Sequence, residues 1–455
     1  MMSSLFLLHF NSLSGSIPSE LGRMTAMTEY FYLQSNSLSG AIPSELGAME
    51  VMTKYFNLFS NQLCDDIPSE ITALSTQCTG CDISTGNSLG TPCYLLTDQY
   101  TALSSLYSST TGESWKTKTN WLSGEPCTAN WYSVTCVSGE VTELQQNQNN
   151  LAGTIPSELG ALIKITANFL LWYNSLSGSI PSELGGLSKI MSAFSLAGNS
   201  LTGSIPSELG GLSKMTEYFY LSSNSLTGSI PSELGALSEM TYVFSLEINR
   251  LTGSIPSELG ALSKMTEYFR LDSNGLTGSI PSELGAWGNF KRKFWLQENS
   301  LTGSLPSQLG AMTAITSNLY LQSNLLTGSI PSEIGRLSKM TYEFYFNSNS
   351  LSGTVPSELG AMTGITAWFT LQSNNLTGSL PSELGAMSQL THAFYVSENQ
   401  FCDDIPSEVS ALSTQVTPYD TTQVTYLDIT TGNSFGTLCC KSLILSFFVA
   451  IVHRQ

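Results

Sequence analysis

A string of the form Asn-x-Leu-Thr/Ser-Gly-x-Ile-Pro-Ser-Glu-Leu-Gly returns every 25 residues along most of this 455-residue chain. Asn224, Leu226, Gly228, Ile230, Pro231, Glu233, Leu234 and Gly235 make one copy, and Asn249 through Gly260 make the next. Self-similarity at such a period means stacked supersecondary units, none of which buries its apolar face alone. It also limits function, because a stack of coils offers a long surface rather than a deep catalytic pocket.

Within one unit the apolar positions are Phe219, Leu221, Leu226, Ile230, Leu234 and Leu237, with Met215 closing the turn before. Phe219 and Leu221 are two apart and face one side of a short strand, while Tyr218, Tyr220 and Ser222 face the other. Asn224 ends that strand, where a side-chain amide can bond backbone groups of its own and the adjacent turn that would otherwise be orphaned. Gly228 permits a bend that a Cβ would resist. Pro231 fixes φ, and Ser232-Glu233 open a single helical or 3₁₀ turn. Six or seven apolar side chains per coil, each contributing roughly 1.5–3 kcal/mol when fully buried, hold the stack together.

In this arrangement the chain resembles the plant-type leucine-rich-repeat consensus LxxLxLxxNxLTGxIPxxLGxLxx, as in receptor-like ectodomains and inhibitors of pectin-degrading enzymes. The resemblance implies an α/β repeat solenoid, a leucine-rich-repeat horseshoe with short parallel strands on the concave face. The convex side would carry 3₁₀ or short helical turns. The family unit is one residue shorter; the extra residue here lies between Met215 and Phe219 and belongs to the turn entering the strand.

Prolines 18, 43 and 68 share one phase, and prolines 156 through 406 share another. The expectation is therefore two tandem arrays, of three and eleven coils. Both end in Cys-Asp-Asp-Ile-Pro-Ser-Glu, at Cys64 and Cys402, followed by Gly-Asn-Ser-x-Gly-Thr-x-Cys at Cys93 and Cys439. Terminal repeats need an atypical, polar outer face, so these segments read as end caps.

In residues 94–149, Leu95, Leu96, Leu103, Leu106 and Tyr107 fall at helical spacing. Trp115, Trp121, Cys127, Trp131 and Cys136 follow in an order that resembles the plant-type N-terminal leucine-rich-repeat cap, with Ser133 where the family has Gly. That resemblance implies a helix and tryptophan cluster roofing the first coil, and a Cys127–Cys136 disulfide. The resulting organisation is a truncated first array (1–76), its cap (77–93), an N-terminal cap (94–149), the second array (150–401), a C-terminal cap (402–440) and an apolar tail (441–455).

Charged residues are only 11% of the chain, and the net charge is −18. Thirteen of the acidic residues are the repeated Glu of Pro-Ser-Glu, from Glu20 to Glu408, so the acidity is a ladder along one flank. A solvated face is its plain meaning, and nucleic acid, which needs a basic footprint, is not an expected partner. The expected cysteine pairs are Cys127/Cys136, Cys64/Cys93 and Cys402/Cys439, with Cys78/Cys81 a candidate fourth and Cys440 left over. That pattern suits an oxidising compartment, at the cell surface or outside the cell. Cys78 and Cys81 with Cys64 and Cys93 also form a formal zinc set, but the second cap lacks the inner two, so no metal and no cofactor is expected.

Three histidines, His9, His392 and His453, lie far apart, and no phosphate-binding glycine loop, kinase signature or HExxH is present. The chain does not read as an enzyme. What varies between coils is the concave column, Leu170, Ser195, Tyr220, Ser245, Arg270, Trp295, Tyr320, Tyr345, Thr370 and Tyr395. Beside it stand Trp172, Tyr218, Tyr268, Asp272, Lys293, Glu343 and Trp368. Aromatic residues with an occasional Arg make interface hot spots, so Trp172, Tyr218, Tyr220, Tyr268, Arg270, Trp295, Tyr320, Tyr345, Trp368 and Tyr395 are the candidate ligand-binding set. The alternative is that these β-formers simply cover neighbouring strand surface.

The expected function is recognition of a protein or peptide on this face. The alternatives are a carbohydrate- or cell-wall-associated protein, including an inhibitor of a polysaccharide-degrading enzyme, and a structural or ice-binding ladder on the regular column Thr202, Thr227, Thr252, Thr277, Thr302 and Thr327. Asn375-Leu376-Thr377 is a sequon, available for glycosylation in a secreted protein. Ser442–Val452 is apolar but too short to span a bilayer, so membrane association is expected only if it is a lipid-anchor signal; a mis-predicted exon explains it equally. Phe6 and Leu8 already fill strand positions, and no secretory leader is visible, so a chain incomplete at its N-terminus is expected.

Overall fold

The computed structural model describes residues 4–64, 66–90, 98–414 and 427–436. Leu95, Leu96, Cys93, Cys439, Cys440, His453 and the Ser442–Val452 tail lie outside the described residues. The chain divides into two compact units, Met1–Thr101 and Ala102–Gln455. Both are built from the coil expected above, and the fold is the leucine-rich-repeat solenoid.

In the second unit each 25-residue coil contributes one strand, such as Tyr218–Tyr220, and one 3₁₀ turn, such as Ser232–Ala236. The strands form a 13-stranded sheet running from Val134–Val137 to Leu427–Asp428. The pair Val134–Val137 and Glu140–Gln145 is antiparallel, and every later pair is parallel. Register advances by one repeat per strand, with Phe219 opposite Phe194 and Phe244. A single-residue slip would turn each buried Phe to solvent, so the pattern itself fixes the register.

Three ladders hold the coils together. The first is a stack of fully buried rings: Phe169, Phe194, Phe219, Phe244, Phe269 and Phe294 lie in line, with Phe219 and Phe244 centroids 5.4 Å apart and nearly parallel. The second is Asn. Asn224 Nδ2 donates to Leu196 O at 3.1 Å in the coil before and to Leu221 O at 3.2 Å, and its Oδ1 accepts from Leu201 N at 3.0 Å. One side chain thus satisfies interior backbone groups of two coils, as its place at the strand end requires. The third is close backbone contact at the 3₁₀ turns. A Cβ on Gly235 would lie 2.5 Å from Glu258 O, and the same approach repeats from Gly160 to Gly385.

The residue before each Asn is left-handed: Tyr173, Ser223, Ile248, Ser273, Glu298, Ser323, Ser348, Ser373 and Glu398 have φ between 50° and 56°. Nothing in the residue types announces this, since Ser and Glu are not turn-specific. Gly228, at φ 76°, makes the bend expected of it, and Asp403 holds φ 60° where other coils place that Gly. Asp tolerates the left-handed region better than most residues.

The first unit repeats this on a smaller scale. Its three strands, Phe6–Leu7, Glu29–Tyr32 and Lys54–Asn57, pair in parallel over a core that includes Phe31, Phe56, Leu46 and Leu63. It ends in the α-helix Ser69–Gln77 and a Cys78–Cys81 disulfide. In the Gly-Asn-Ser segments, Asn87 donates to Leu58 O at 2.9 Å and Asn433 to Val396 O at 3.1 Å, so both continue the Asn ladder past the last regular coil.

At the start of the second array the helix Asp98–Ser109 buries Leu103 and Leu106. Trp115, Trp121 and Trp131 pack edge to face or tilted at 4.6 and 4.8 Å, each indole N–H donating to a backbone carbonyl. Cys127 and Cys136 are bonded nearby, and Ser133 is left-handed at φ 59°. Cys64 and Cys402 are each in a disulfide; the partners expected for them lie outside the described residues. Among the described residues no helix is long and apolar enough to cross a membrane.

Candidate functional site: the strand face of the second unit

Because strand side chains alternate, the Phe ladder leaves the intervening positions to line the opposite face of the sheet. The register puts Leu170, Ser195, Tyr220, Ser245, Arg270, Trp295, Tyr320, Tyr345, Thr370 and Tyr395 in one unbroken row. The second row, from Asn168 through Tyr218, Tyr268, Lys293, Glu343 and Trp368, runs beside it. Nine of the ten candidate residues fall in these two rows, and Trp172, two residues beyond Leu170, lines the same face. All ten are also half-buried. Their rings lie along the sheet on one another and do not project freely.

The middle of the face is a stacked run. Trp295 and Tyr320 are 5.0 Å apart and nearly parallel, and Tyr320 and Tyr345 are 4.7 Å apart. Trp368 meets Tyr345 and Tyr395 edge-on, each at 6.3 Å. The Arg270 guanidinium lies 4.3 Å from the Trp295 ring centre, and the Lys293 ammonium is within 5 Å of both Trp295 and Tyr268. Arg270 is also bracketed by carboxylates, at 3.0 Å from Glu247 and 3.4 Å from Asp272. Burial raises the Asp272 carboxyl above its ordinary range, with Arg270 opposing that shift. Glu343 accepts hydrogen bonds from the Tyr320 hydroxyl and the Asn318 amide, and burial likewise raises its carboxyl. Tyr220 is pushed up to about 12, chiefly by burial.

Toward the start of the array the face opens into a cavity of about 530 Å³. Its floor is the small-residue rung Ala193, Ser195 and Ala197; Trp172 and Tyr173 stand on one side, Tyr218 and Tyr220 on the other. Tyr173, Glu217 and Glu247 line this cavity without having been singled out from the sequence. Tyr173 is the left-handed residue of its coil and is 63% exposed. Its ring lies over Gly198, where a Cβ would come within 2.2 Å of it. The usable signal was the absence of bulk in one rung, not the presence of any motif.

The other sequence candidates lie elsewhere. Thr202, Thr227, Thr252, Thr277, Thr302 and Thr327 form an exposed column at the far end of the turn that follows each Asn. Asn375 is exposed in the short strand Asn375–Gly378. His392 sits 6.3 Å from the Trp368 ring, and His9 is in the first unit beside Tyr32. Among the described residues no group of three or more His, Cys, Asp or Glu is placed to hold a metal ion.

The Leucine Rich Repeat family model matches residues 216–237, one coil of the second array. No curated protein matches the sequence. Among solved structures, a TDR receptor is 25% identical with a TM-score of 0.55, the match covering 95% of this chain and 68% of that one. The ectodomain of the Arabidopsis receptor kinase HAESA, in complex with an extended IDA peptide hormone, is 22% identical at TM-score 0.55, covering 96% of this chain and 75% of that one. A plant ice-binding protein is 24% identical at TM-score 0.50, covering 75% of this chain and 96% of that one. The two matches below 25% speak for the fold.

Proposed function

We propose that this protein is a non-enzymatic recognition module of the cell surface or extracellular space, and that it binds a protein or peptide on the strand face of residues 168–395. The observation that carries this reading is a contrast inside each coil. Phe, Asn and Gly recur almost unchanged where coils touch, while the outward row differs from rung to rung and is rich in Tyr, with Arg270 and Trp295 at its middle. Such residues contribute most of the energy of interfaces, and here they are held in place by one another before any partner arrives. The likeness to a TDR receptor agrees with it. Disulfides at Cys127–Cys136 and Cys78–Cys81 suit an oxidising compartment.

Pull-down of a protein or peptide partner by the full chain, lost on Trp295→Ala with no signal on a glycan array, supports the reading. A second reading rests on the stacked run Trp295–Tyr320–Tyr345, whose row of ring edges offers a sugar a continuous apolar strip. Glycan binding abolished by Trp295→Ala, with no protein captured, replaces the first reading with that one. Thermal hysteresis removed by Thr→Leu changes at Thr227 and Thr252 would overturn both in favour of an ice-binding ladder.

A further inference from the structure

The two ends of the strand face solve the same electrostatic problem differently. Around Trp295 the cation is built in: Arg270 stacks on the indole and is held by Glu247 and Asp272. In the cavity between Trp172 and Tyr220 the aromatic walls are present and so are two carboxylates, of which Glu247 is already paired with Arg270 and Glu217 is not. Glu217 lines the cavity and is exposed; among the described residues its side chain makes no hydrogen bond or ion pair, and no Lys or Arg lines the cavity. Leu170 and Tyr220 stand two rungs apart, with Ser195 between them in register. By ordinary strand spacing the outer two rungs are about 9.6 Å apart, enough for one extended side chain over Ser195 between Leu170 and Tyr220.

We propose that this cavity is a subsite for one basic side chain, Arg or Lys, of a bound peptide, with the aliphatic stem against Trp172, Tyr218 and Tyr220 and the cationic head at Glu217. The subsite rests on the reading of the face as a peptide-binding surface. Aromatic faces attract a cation through their quadrupole, and a desolvated aromatic wall strengthens both that attraction and the pairing with carboxylate. A neutral apolar side chain would fill the walls but leave the carboxylate unused. An acidic one would meet the unpaired Glu217 carboxylate and a chain of net charge −18.

The test selects a displayed random peptide library on the full chain and on two variants, Glu217→Gln and Ser195→Tyr. The first removes the charge on an exposed side chain; the second fills the floor with the residue already present at Tyr220 and Tyr320 in the same row. On the wild type, enriched peptides carry Arg or Lys at one fixed position, and citrulline at that position weakens binding about tenfold. Both variants lose the basic preference, and Glu217→Gln binds the Arg and citrulline peptides alike. Enriched peptides without a basic position, or citrulline binding as tightly as Arg, overturn the subsite while recognition by the face stands. No enriched peptide on the wild type overturns the peptide reading, and the subsite with it.

Discussion

The 3₁₀ turns and the outward strand row belong to the same coils, yet one is copied almost unchanged while the other changes at nearly every step. At the turn, Gly235 leaves space for Glu258 O of the next coil; Asn224 bonds its own coil and the one before, and Phe219 touches both neighbours. A side chain in such a place is constrained by two coils at once. In the outward row, Ser245, Arg270, Trp295 and Tyr320 follow one another without disturbing the register. Identity between coils tracks close contact between coils, and freedom to differ begins where the side chain meets solvent or a partner.

That comparison breaks most visibly under truncation. Phe244→Ala removes a fully buried ring from the ladder and should cost about 3–5 kcal/mol, measured by urea unfolding, while Trp295→Ala on the outward row should cost about 1 kcal/mol. Equal losses would mean that the outward aromatic row is itself the core. Gly235→Ala should cost about 1–3 kcal/mol, because the added methyl meets a backbone oxygen that cannot rotate away. A neutral result would show that the coil spacing gives.

Smaller effects sharpen the contrast further. Burial raises the Glu343 carboxyl in the folded protein, so the folded state holds its proton more tightly than the unfolded chain does. Stability from this group is complete below its ordinary value and is lost as pH rises through the raised one. Glu343→Gln retains an acceptor for Tyr320 and does not titrate, so its Tm relative to the wild type should rise as the pH is raised from the ordinary glutamate value of about 4. A constant gap would remove the group from the pH profile. Ile248, β-branched at φ 54° and 53% exposed, should be improved by Ile248→Asn, with a gain of about 0.5–1 kcal/mol in thermal unfolding.

Much of this was legible in the sequence because a repeat states its own alignment. Once Phe219 and Phe244 are matched, strand, register, Asn ladder and 3₁₀ turn follow, and the outward row with its ten candidates falls out as the remainder. The left-handed residue before each Asn did not show, because Ser, Ile and Glu there carry no turn signature. Nor did the role of Asn87 and Asn433 as the last rungs of the ladder, since they stand outside the repeat spacing.

The sequence by itself determined the coil, its stacking and which side chains face outward, since periodic burial leaves one consistent solution for short parallel strands. Only the tertiary structure decided what those outward side chains do to one another. Side chains on rungs a few ångströms apart either stack, as Trp295 and Tyr320 do, or leave a gap, as Leu170 and Tyr220 do across Ser195. The reason is physical: a repeat fixes positions along the chain, but ring orientation and the cavity beside a small residue depend on neighbours that are contiguous in space and 25 residues apart in sequence.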